Sequence, residues 1–527
     1  MAKPIKYTVT VPGSKSFMNR ALICAALAKG QSTLLNPVYC DDTNYMIKAL
    51  RALGVHINTT ARQVTIRGLN GKFKLPKPGR GTRRIYIGNA GTVIRFLTPL
   101  LPAGTRLVGN QRMQQRPLQE LIEAVAQIKH DNHITITGTV SSQFISALLL
   151  VAPTLPHGLT IMVKGKLVSA PYVQMTLAVM HQFGIKVTRR NDQFTIYKQD
   201  YQANNYTIEG DASSATYWWA LAAITGSHIT VPNIPLDTLQ PDAKFKQLLE
   251  KMGCTVKANT VIGPWNKALK PMTVNMSDYP DAVLAAAVVM TQASGRSTIT
   301  GIGHLTHKET DRLTLLKKNL RKLKSTHPIV IDTGADHRFA MAFSILGLAI
   351  GKITVDNKQC VKKSYPTFWS DFKKVEQQVK RQTIVLTGLR GVGKTTYGKI
   401  LAKQFKMKFV DTDTMMGKNI STLVQQHGWK QFRNQEHVVV KQMCKKKNAI
   451  IATGGGTLMY PRNFTVLKEH YIILLTAPLA VIRQRLSKQS HRPALLKRQT
   501  VVTELNQVWQ QRKNKYYQIA DNIYDSR

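Results

Sequence analysis

Residues Thr383-Ile-Val-Leu-Thr run into Gly388-Leu-Arg-Gly391-Val392-Gly393-Lys394-Thr395-Thr396, an apolar strand followed by the spacing G-x-x-x-x-G-K-T and then a helix. That arrangement is a phosphate cradle. The glycines let backbone N–H groups turn inward around phosphate oxygens, and the helix behind adds its positive N-terminal end. Lys394 reaches the β- and γ-phosphates and Thr395 offers a hydroxyl to Mg²⁺, so Gly388, Gly391, Val392, Gly393, Lys394, Thr395 and Thr396 are expected to bind ATP. One helix later the strand Lys408-Phe-Val ends in Asp411-Thr-Asp413, two carboxylates pointing the same way. One can support the metal and the other can accept a hydroxyl proton. Phe432-Arg433 and Glu436 share the next helix. A further strand, Ala449-Ile-Ile-Ala, ends in Thr453-Gly454-Gly455-Gly456, whose bare backbone a polyol can approach closely. Ser490-His-Arg492-Pro493 reads as a mobile lid with a phosphate-binding arginine, and Arg512 lies with Tyr516 on the last helix.

Residues 1–375 contain no such loop, no zinc-ligand spacing and no nucleophile elbow. They carry basic residues beside Ser, Gly and Asn at helix starts. Pro12-Gly-Ser14-Lys15-Ser16 leads into a helix bearing Asn19 and Arg20, and Gly88-Asn89-Ala90-Gly91-Thr92 opens another with Arg95; Arg112 and Arg116-Pro117 follow. Val140-Ser141-Ser142-Gln143, Ser169-Ala-Pro-Tyr172 and Gly210-Asp211-Ala-Ser213-Ser214 open further helices. Singly these are ordinary caps. Together they suggest one anion site built from converging helix dipoles.

The elements that must hold these groups alternate in type. Tyr7–Val11 is strand-like and Arg20–Leu27 helical; Val55–Arg67 holds two strand-like pieces, and Leu118–Ile128 is a helix. Ile134–Ile136 and Leu159–Val163 read as strands, Gln143–Val151 and Tyr172–Phe183 as helices, Lys186–Arg189 and Gln193–Tyr197 as strands. A helix followed by two strands recurs after Leu53, Phe183 and Met252, which hints at a repeated unit. The segment around 371–382 is polar and precedes a new strand, so the expected division is 1–375, a linker at 376–382, and 383–527.

Lys and Arg number 74 against 28 acids, a formal net charge of +46. The excess is spread along the chain and no helix-turn-helix, zinc finger or basic tail accompanies it, so an enzyme for multiply anionic substrates, or a solvated basic surface with no specific partner, is favoured over specific nucleic-acid binding. No run reaches roughly 18 apolar residues, so no membrane span is expected. The N-terminal residues lead straight into a strand pattern, with no signal-peptide core. Five widely spaced cysteines form neither a disulfide framework nor a metal site, and a reducing cytoplasmic setting is expected.

In its order of motifs, P-loop, D-T-D, F-R-x-x-E, T-G-G-G, R-P and R-x-x-x-Y, the segment ~383–527 resembles shikimate kinase. The resemblance implies a three-layer α/β/α domain with a parallel sheet. It implies that Asp413, Arg433, Gly455 and Arg512 hold shikimate, flanked by Gly454 and Gly456, and that Asp413 orients the 3-hydroxyl. Asp411 joins Thr395 at Mg²⁺, and Arg492 stabilises the transferring phosphoryl group. Residues ~5–372 resemble 5-enolpyruvylshikimate-3-phosphate (EPSP) synthase, through the helix-start clusters together with Tyr279-Pro-Asp281, Lys308-Glu309-Thr310-Asp311-Arg312, Asp336-His337-Arg338 and Cys360-Val-Lys-Lys363-Ser-Tyr-Pro366.

That second resemblance implies an α/β fold of two lobes, an inside-out α/β barrel of βαβαββ units. Lobe one is 1–13 plus 210–375 and lobe two is 14–209. It implies that Ser16, Arg20, Ser141, Ser142, Gln143, Ser169 and His304 serve shikimate 3-phosphate, with His304 where asparagine is expected. Lys15, Gly91, Arg116, Arg312, Arg338 and Lys363 would hold phosphoenolpyruvate, and Arg95 adds countercharge. Asp281 is the candidate to take the 5-hydroxyl proton, and Lys308 and Glu309 to move the proton at the enol methylene carbon; Lys15 belongs to the same catalytic set. Two connections, Leu118 to Val140 and Arg312 to Arg338, are short for full units. The leading reading is a bifunctional, monomeric shikimate-pathway enzyme using shikimate, ATP, shikimate 3-phosphate and phosphoenolpyruvate. The rivals are a kinase carrying an inactive synthase region and a basic nucleic-acid-associated ATPase.

Overall fold

The computed structural model describes residues 4–71, 73, 83–139, 141–264, 268–417, 420–487 and 504–526. Their apolar side chains gather into separate cores. One spans Phe17 to Ile208 and defines lobe two. A second joins Ile5, Val9 and Val11 to residues from Ala212 to Val375 and defines lobe one. A third runs from Ile384 to Ile519. The chain crosses between the lobes on two adjacent strands, where Gly13 bridges Gly210 and the Ser14 N–H donates to the Glu209 carbonyl at 2.8 Å.

The lobes repeat one sheet design. Lys6–Thr8 pairs in parallel with His228–Thr230, which pairs antiparallel with Thr260–Ile262, which in turn pairs antiparallel with Thr255–Lys257. The same sequence of directions joins Asn205–Thr207, Gln31–Leu35, Gln63–Arg67 and His56–Thr59. It recurs in His133–Thr137, Leu159–Lys164, Gln193–Ile196 and Thr188–Arg190. The hairpins of these sheets follow Leu53, Phe183 and Met252, where the sequence shows its recurring pattern.

Three other pairs stop at two parallel strands: Arg83–Tyr86 with Thr105–Val108, Thr273–Asn275 with Thr298–Thr300, and Ile329–Ile331 with Ile353–Val355. The Gln119–Gln127 helix leads straight to His133–Thr137, and Arg312–Lys322 leads straight to Ile329–Ile331, with no hairpin between. These are the two short connections.

The helices Ser142–Val151, Ala212–Thr225 and Val283–Met290 are buried nearly all round, as their apolar sequences require, whereas Gln119–Gln127 and Arg312–Lys322 keep a polar face. Ala212–Thr225, Ser142–Val151 and His337–Ile350 begin on side-chain caps from Asp211, Ser141 and Asp336. Those caps hold the polar helix starts at one end of each lobe.

Residues beyond 383 form an all-parallel sheet in the order Lys408–Asp411, Ala449–Ala452, Ile384–Thr387, Tyr471–Thr476, Asn522–Asp525. Strands buried on both faces read as continuous apolar runs, as Ile384-Val-Leu and Tyr471-Ile-Ile-Leu-Leu do. The central strand has neighbours of later sequence on both sides, so a crevice opens outside its carboxyl end, where ligands bind in such sheets. The helix Phe368–Arg381 covers most of the polar 376–382 segment, and Gln382 and Thr383 after it are buried. The kinase-like part also touches lobe one through its far end: Asp521 accepts from His228 Nδ1 at 2.7 Å and lies 3.3 Å from Lys6 Nζ, and Asn522 donates to the Gly263 carbonyl at 3.0 Å. No helix among the described residues is long and apolar enough to cross a membrane, and all five cysteines are free thiols.

Candidate active sites

The cleft between the lobes is walled by helix starts on one side and by charged loops on the other. Lys15, Ser16 and Arg20 come from the first turns of the Lys15–Leu27 helix, Gly91 and Arg95 from Gly91–Leu97, and Ser142 and Gln143 from Ser142–Val151, with Ser141 as its cap. Arg116, Ser169, Asp281, His304, Lys308, Glu309 and Arg338 also line the cavity, as do Asp42, Thr92, Tyr172 and His307. Gly91 has a steric reason to be glycine: a Cβ there would stand 2.4 Å from Arg116 Nη2. Arg95 donates to Gln143 Oε1 at 2.6 Å, which fixes the amide at the cavity edge.

A carboxylate–cation network fills the lobe-one side. Asp281 lies 2.8 Å from Arg338 Nη2, 3.2 Å from Arg312 Nη1 and 3.9 Å from Lys308 Nζ. Arg312 also pairs with Glu309 and Asp336, each at 2.7 Å. Burial alone would raise the Asp281 carboxyl, but Arg338, Lys308 and Arg312 overcome it and hold it well below the usual range. Glu309 is likewise held down, by Arg312 and Arg116 against burial. Burial lowers the Lys308 ammonium, with Asp281 opposing. Burial, then Lys308, pushes His304 down to about 4, so its imidazole is neutral near pH 7, and its Nε2 has no protein partner.

Two expected groups stand back from the cavity wall. Arg312 spends its fork on three carboxylates, and Lys363 donates to Asp42 Oδ1 and the Asn89 carbonyl, both at 2.8 Å. Asp42 is the residue that sequence reasoning missed. Its other oxygen takes Lys15 at 2.8 Å, so one buried carboxylate ties a lysine of lobe two to a lysine of lobe one. Burial would raise Asp42, but Lys15 and Lys363 outweigh it and lower it; burial would lower Lys15, but Asp42 and Glu309 raise it. In sequence Asp42 reads only as an acid in a first helical turn. Asp336, quoted in its motif without a role, is the buried acceptor for Arg312.

In the third core, Gly391, Gly393, Lys394, Thr395 and Thr396 line one cavity with Val392, Asp411, Asp413 and Gly455. Gly388, Gly391 and Gly393 all hold positive φ, at 139°, 75° and 98°, which aims the loop N–H groups inward. Lys394 donates to the carbonyls of Gly388 and Leu389 at 3.0 and 2.8 Å, folded over its own loop. Thr395 Oγ1 donates to Asp411 Oδ2 at 2.7 Å. Around the Gly454–Gly456 loop, Arg512 donates to the Gly455 carbonyl at 2.8 Å, and Arg433 is held by Glu436 at 2.7 Å. A Cβ on Gly456 would come within 2.4 Å of Arg433, and one on Gly454 within 3.0 Å of Asp413 Oδ1. Asp413, Arg433 and Arg512 are thus brought to one bare loop. Arg492 and the segment Ser490–Pro493 lie outside the described residues.

Comparison with known proteins agrees with this geometry. Residues 1–372 match the family model of EPSP synthase (3-phosphoshikimate 1-carboxyvinyltransferase), and residues 390–527 match that of shikimate kinase. A 3-phosphoshikimate 1-carboxyvinyltransferase of Methanosphaerula palustris is 38% identical over 410 residues, covering 70% of this chain and 96% of that protein. A pentafunctional AROM polypeptide of Yarrowia lipolytica is 33% identical over 610 residues, covering 98% of this chain. The chain spans 38% of that relative's length. The solved EPSP synthase of Acinetobacter baumannii shares the fold with a TM-score of 0.58 at 20% identity, over 71% of this chain and 96% of that one.

Proposed function

Because the chain belongs to the EPSP synthase family over residues 1–372 and carries a shikimate kinase domain behind it, we propose that it performs two consecutive reactions. The kinase transfers the γ-phosphoryl group of ATP to the 3-hydroxyl of shikimate. The synthase joins the 5-hydroxyl of that product to C2 of phosphoenolpyruvate and releases inorganic phosphate. The observation that carries the synthase reading is the meeting of Asp281, Lys308, Glu309 and Arg338 on one cleft wall opposite the helix starts.

Two phosphorylated acids must be held together against their repulsion. Lys15, Arg95, Arg116, Arg338 and Lys308 supply positive charge in a place shielded from water, where it acts most strongly. Ser141, Ser142, Gln143, Ser169 and Arg20 face shikimate 3-phosphate, with Ser16 and His304 beside them. His304 offers a neutral ring N–H in place of an amide. Lys15, Gly91, Arg116 and Arg338 face phosphoenolpyruvate, and Arg312 and Lys363 come to it as their internal ion pairs exchange for its carboxylate and phosphate. Lys308, whose burial makes its ammonium a readier acid, gives a proton to C3 as the 5-hydroxyl oxygen bonds to C2. Asp281 takes the hydroxyl proton. The cations that hold Asp281 down are the ones the substrates' anions attract, so occupancy of the site raises its basicity. In the second half Glu309 takes a proton from C3 as the C2–O bond to phosphate breaks; passing it to Lys308, and the proton on Asp281 to the departing phosphate, returns each group to its starting state.

In the kinase, the loop Gly388–Thr396 cradles ATP, Asp413 receives the 3-hydroxyl proton, and Arg433 and Arg512 present forked donors to the shikimate carboxylate over Gly454–Gly456. Arg492 belongs to the same phosphate set. Thr395 and Asp411 offer hard oxygen donors close together at the loop's mouth, which fits Mg²⁺. The ion there would offset charge between the β- and γ-phosphates. The chain is read as acting as a monomer, and its five free thiols suit a reducing cytoplasm.

The test uses two variants of the full chain. Asp413→Asn is expected to lower shikimate phosphorylation about 100-fold or more and leave enolpyruvyl transfer intact; Asp281→Asn is expected to do the reverse. Loss of neither activity in its own variant contradicts the assignment.

A further inference from the structure

One arginine crosses the cleft without entering the cavity. Arg112 sits next to Met113, which is buried in the core of lobe two. Its guanidinium reaches the backbone of lobe one: Nη2 donates to the carbonyls of Thr306 and Lys308, both at 2.9 Å, and Nε donates to the Lys308 carbonyl at 3.2 Å. Nη1 is steered by Gln115 Oε1 at 3.3 Å. The gripped carbonyls follow Leu305, which is buried in the other core. The same segment contributes His304, Lys308 and Glu309 to the cavity wall, whereas Arg112 is not part of that wall.

From this geometry we infer that Arg112 is a positioning residue, a cross-cleft clasp that sets Lys308 and Glu309 in place only when the lobes are closed. A forked, charged donor on two carbonyls is directional and strong. Parting the lobes returns all of these groups to water, so the bonds exist in the closed arrangement alone. The segment they hold carries the proposed proton-transfer pair, so closure completes the site. The Thr306–Lys308 backbone has an anchor on its lobe-one side in Leu305. On its lobe-two side Arg112 supplies a charged grip that leaves the Lys308 and Glu309 side chains free for chemistry. This inference rests on the synthase reading given above.

The experiment compares Arg112→Gln and Arg112→Lys in the full chain. Turnover and KM for phosphoenolpyruvate, the pH profile of kcat, equilibrium binding of shikimate 3-phosphate and the small-angle scattering radius with saturating shikimate 3-phosphate are all measured. Arg112→Gln is expected to lower kcat about 10- to 100-fold, to shift the basic limb of the profile, and to leave the liganded protein more expanded. Binding of shikimate 3-phosphate stays within about twofold of the parent, and Arg112→Lys falls between. Parent-like kcat, pH profile and radius in Arg112→Gln would overturn the clasp. So would a loss of melting temperature and ligand binding in proportion to the loss of turnover. If the parent itself transfers no enolpyruvyl group, the proposed reaction fails, while the ligand-induced change in radius still reads the clasp.

Discussion

Asp42 illustrates what a single residue contributes. It stands between Lys15 and Lys363, and removing its charge leaves two buried ammonium groups close together. Breaking a buried ion pair costs about 3–5 kcal/mol, so Asp42→Asn is expected to lower the melting point of the synthase transition clearly at pH 7. The carboxyl is lowered in the folded state, so its stabilisation is present above the ordinary value of 3.8 and is lost as pH falls through the lower folded value. The gap in melting point between parent and variant should therefore hold from pH 8 down to about 5 and close only below the carboxylate range; a gap that closes between pH 8 and 6 would contradict it. Lys15 and Lys363 each stand out from their motifs as candidate anion-binding groups. The carboxylate joining them does not, because Lys363 lies 321 residues from Asp42 and no local spacing encodes such a pair. The phosphate loop was legible for the opposite reason: its chemistry requires glycines and a lysine at short, fixed intervals.

Among the elements, two buried helices were read nearly to their ends, whereas the first, read as Arg20–Leu27, begins five residues earlier at Lys15. Gln143–Val151 is Ser142–Val151 in the structure, and Tyr172–Phe183 is Pro171–Gln182. Apolar runs of that length have few alternatives. The strand read at Lys186–Arg189 is Thr188–Arg190, an exposed three-residue edge whose position depends on pairing with Gln193–Ile196 and so is not set locally. The two short connections have a structural meaning: they omit the antiparallel hairpin that elsewhere widens a parallel pair to four strands. A two-stranded sheet has little stability of its own. Amide exchange is thus expected to be faster in Arg83–Tyr86, Thr105–Val108, Thr273–Asn275 and Thr298–Thr300 than in Gln31–Leu35 or Leu159–Lys164. Equal protection in both groups would mean that helix packing alone fixes the narrow sheets. The candidate groups Gly91, Arg95 and Asp281 lie on the Gly91–Leu97 helix and the Pro280–Ala282 turn, not on the missing strands.

For the whole molecule, the two parts are joined by the Phe368–Arg381 helix and by a second contact with lobe one, in which Asp521 takes His228, Asn522 donates to the Gly263 carbonyl, Tyr471 donates to the Gly226 carbonyl and Lys6 donates to the Lys468 carbonyl. A double variant, Lys6→Ala with His228→Ala, removes the charged half of the second contact without touching either site. It is expected to speed proteolytic cleavage around residues 376–382 severalfold while both activities persist; an unchanged cleavage rate would show that the connecting helix suffices. The domain order was legible because each half carries its own complete set of motifs. Their docking was not, since it depends on surfaces far apart in the chain. The most direct measurement is a time course with the purified 527-residue chain, shikimate, ATP, Mg²⁺ and phosphoenolpyruvate, resolving shikimate 3-phosphate from its enolpyruvyl ether and counting released phosphate. Two active sites give transient shikimate 3-phosphate followed by the ether and one phosphate per ether formed. Shikimate 3-phosphate that accumulates to completion, with no ether and no phosphate, would show that the cleft assembled around Asp281 does not carry out the second reaction.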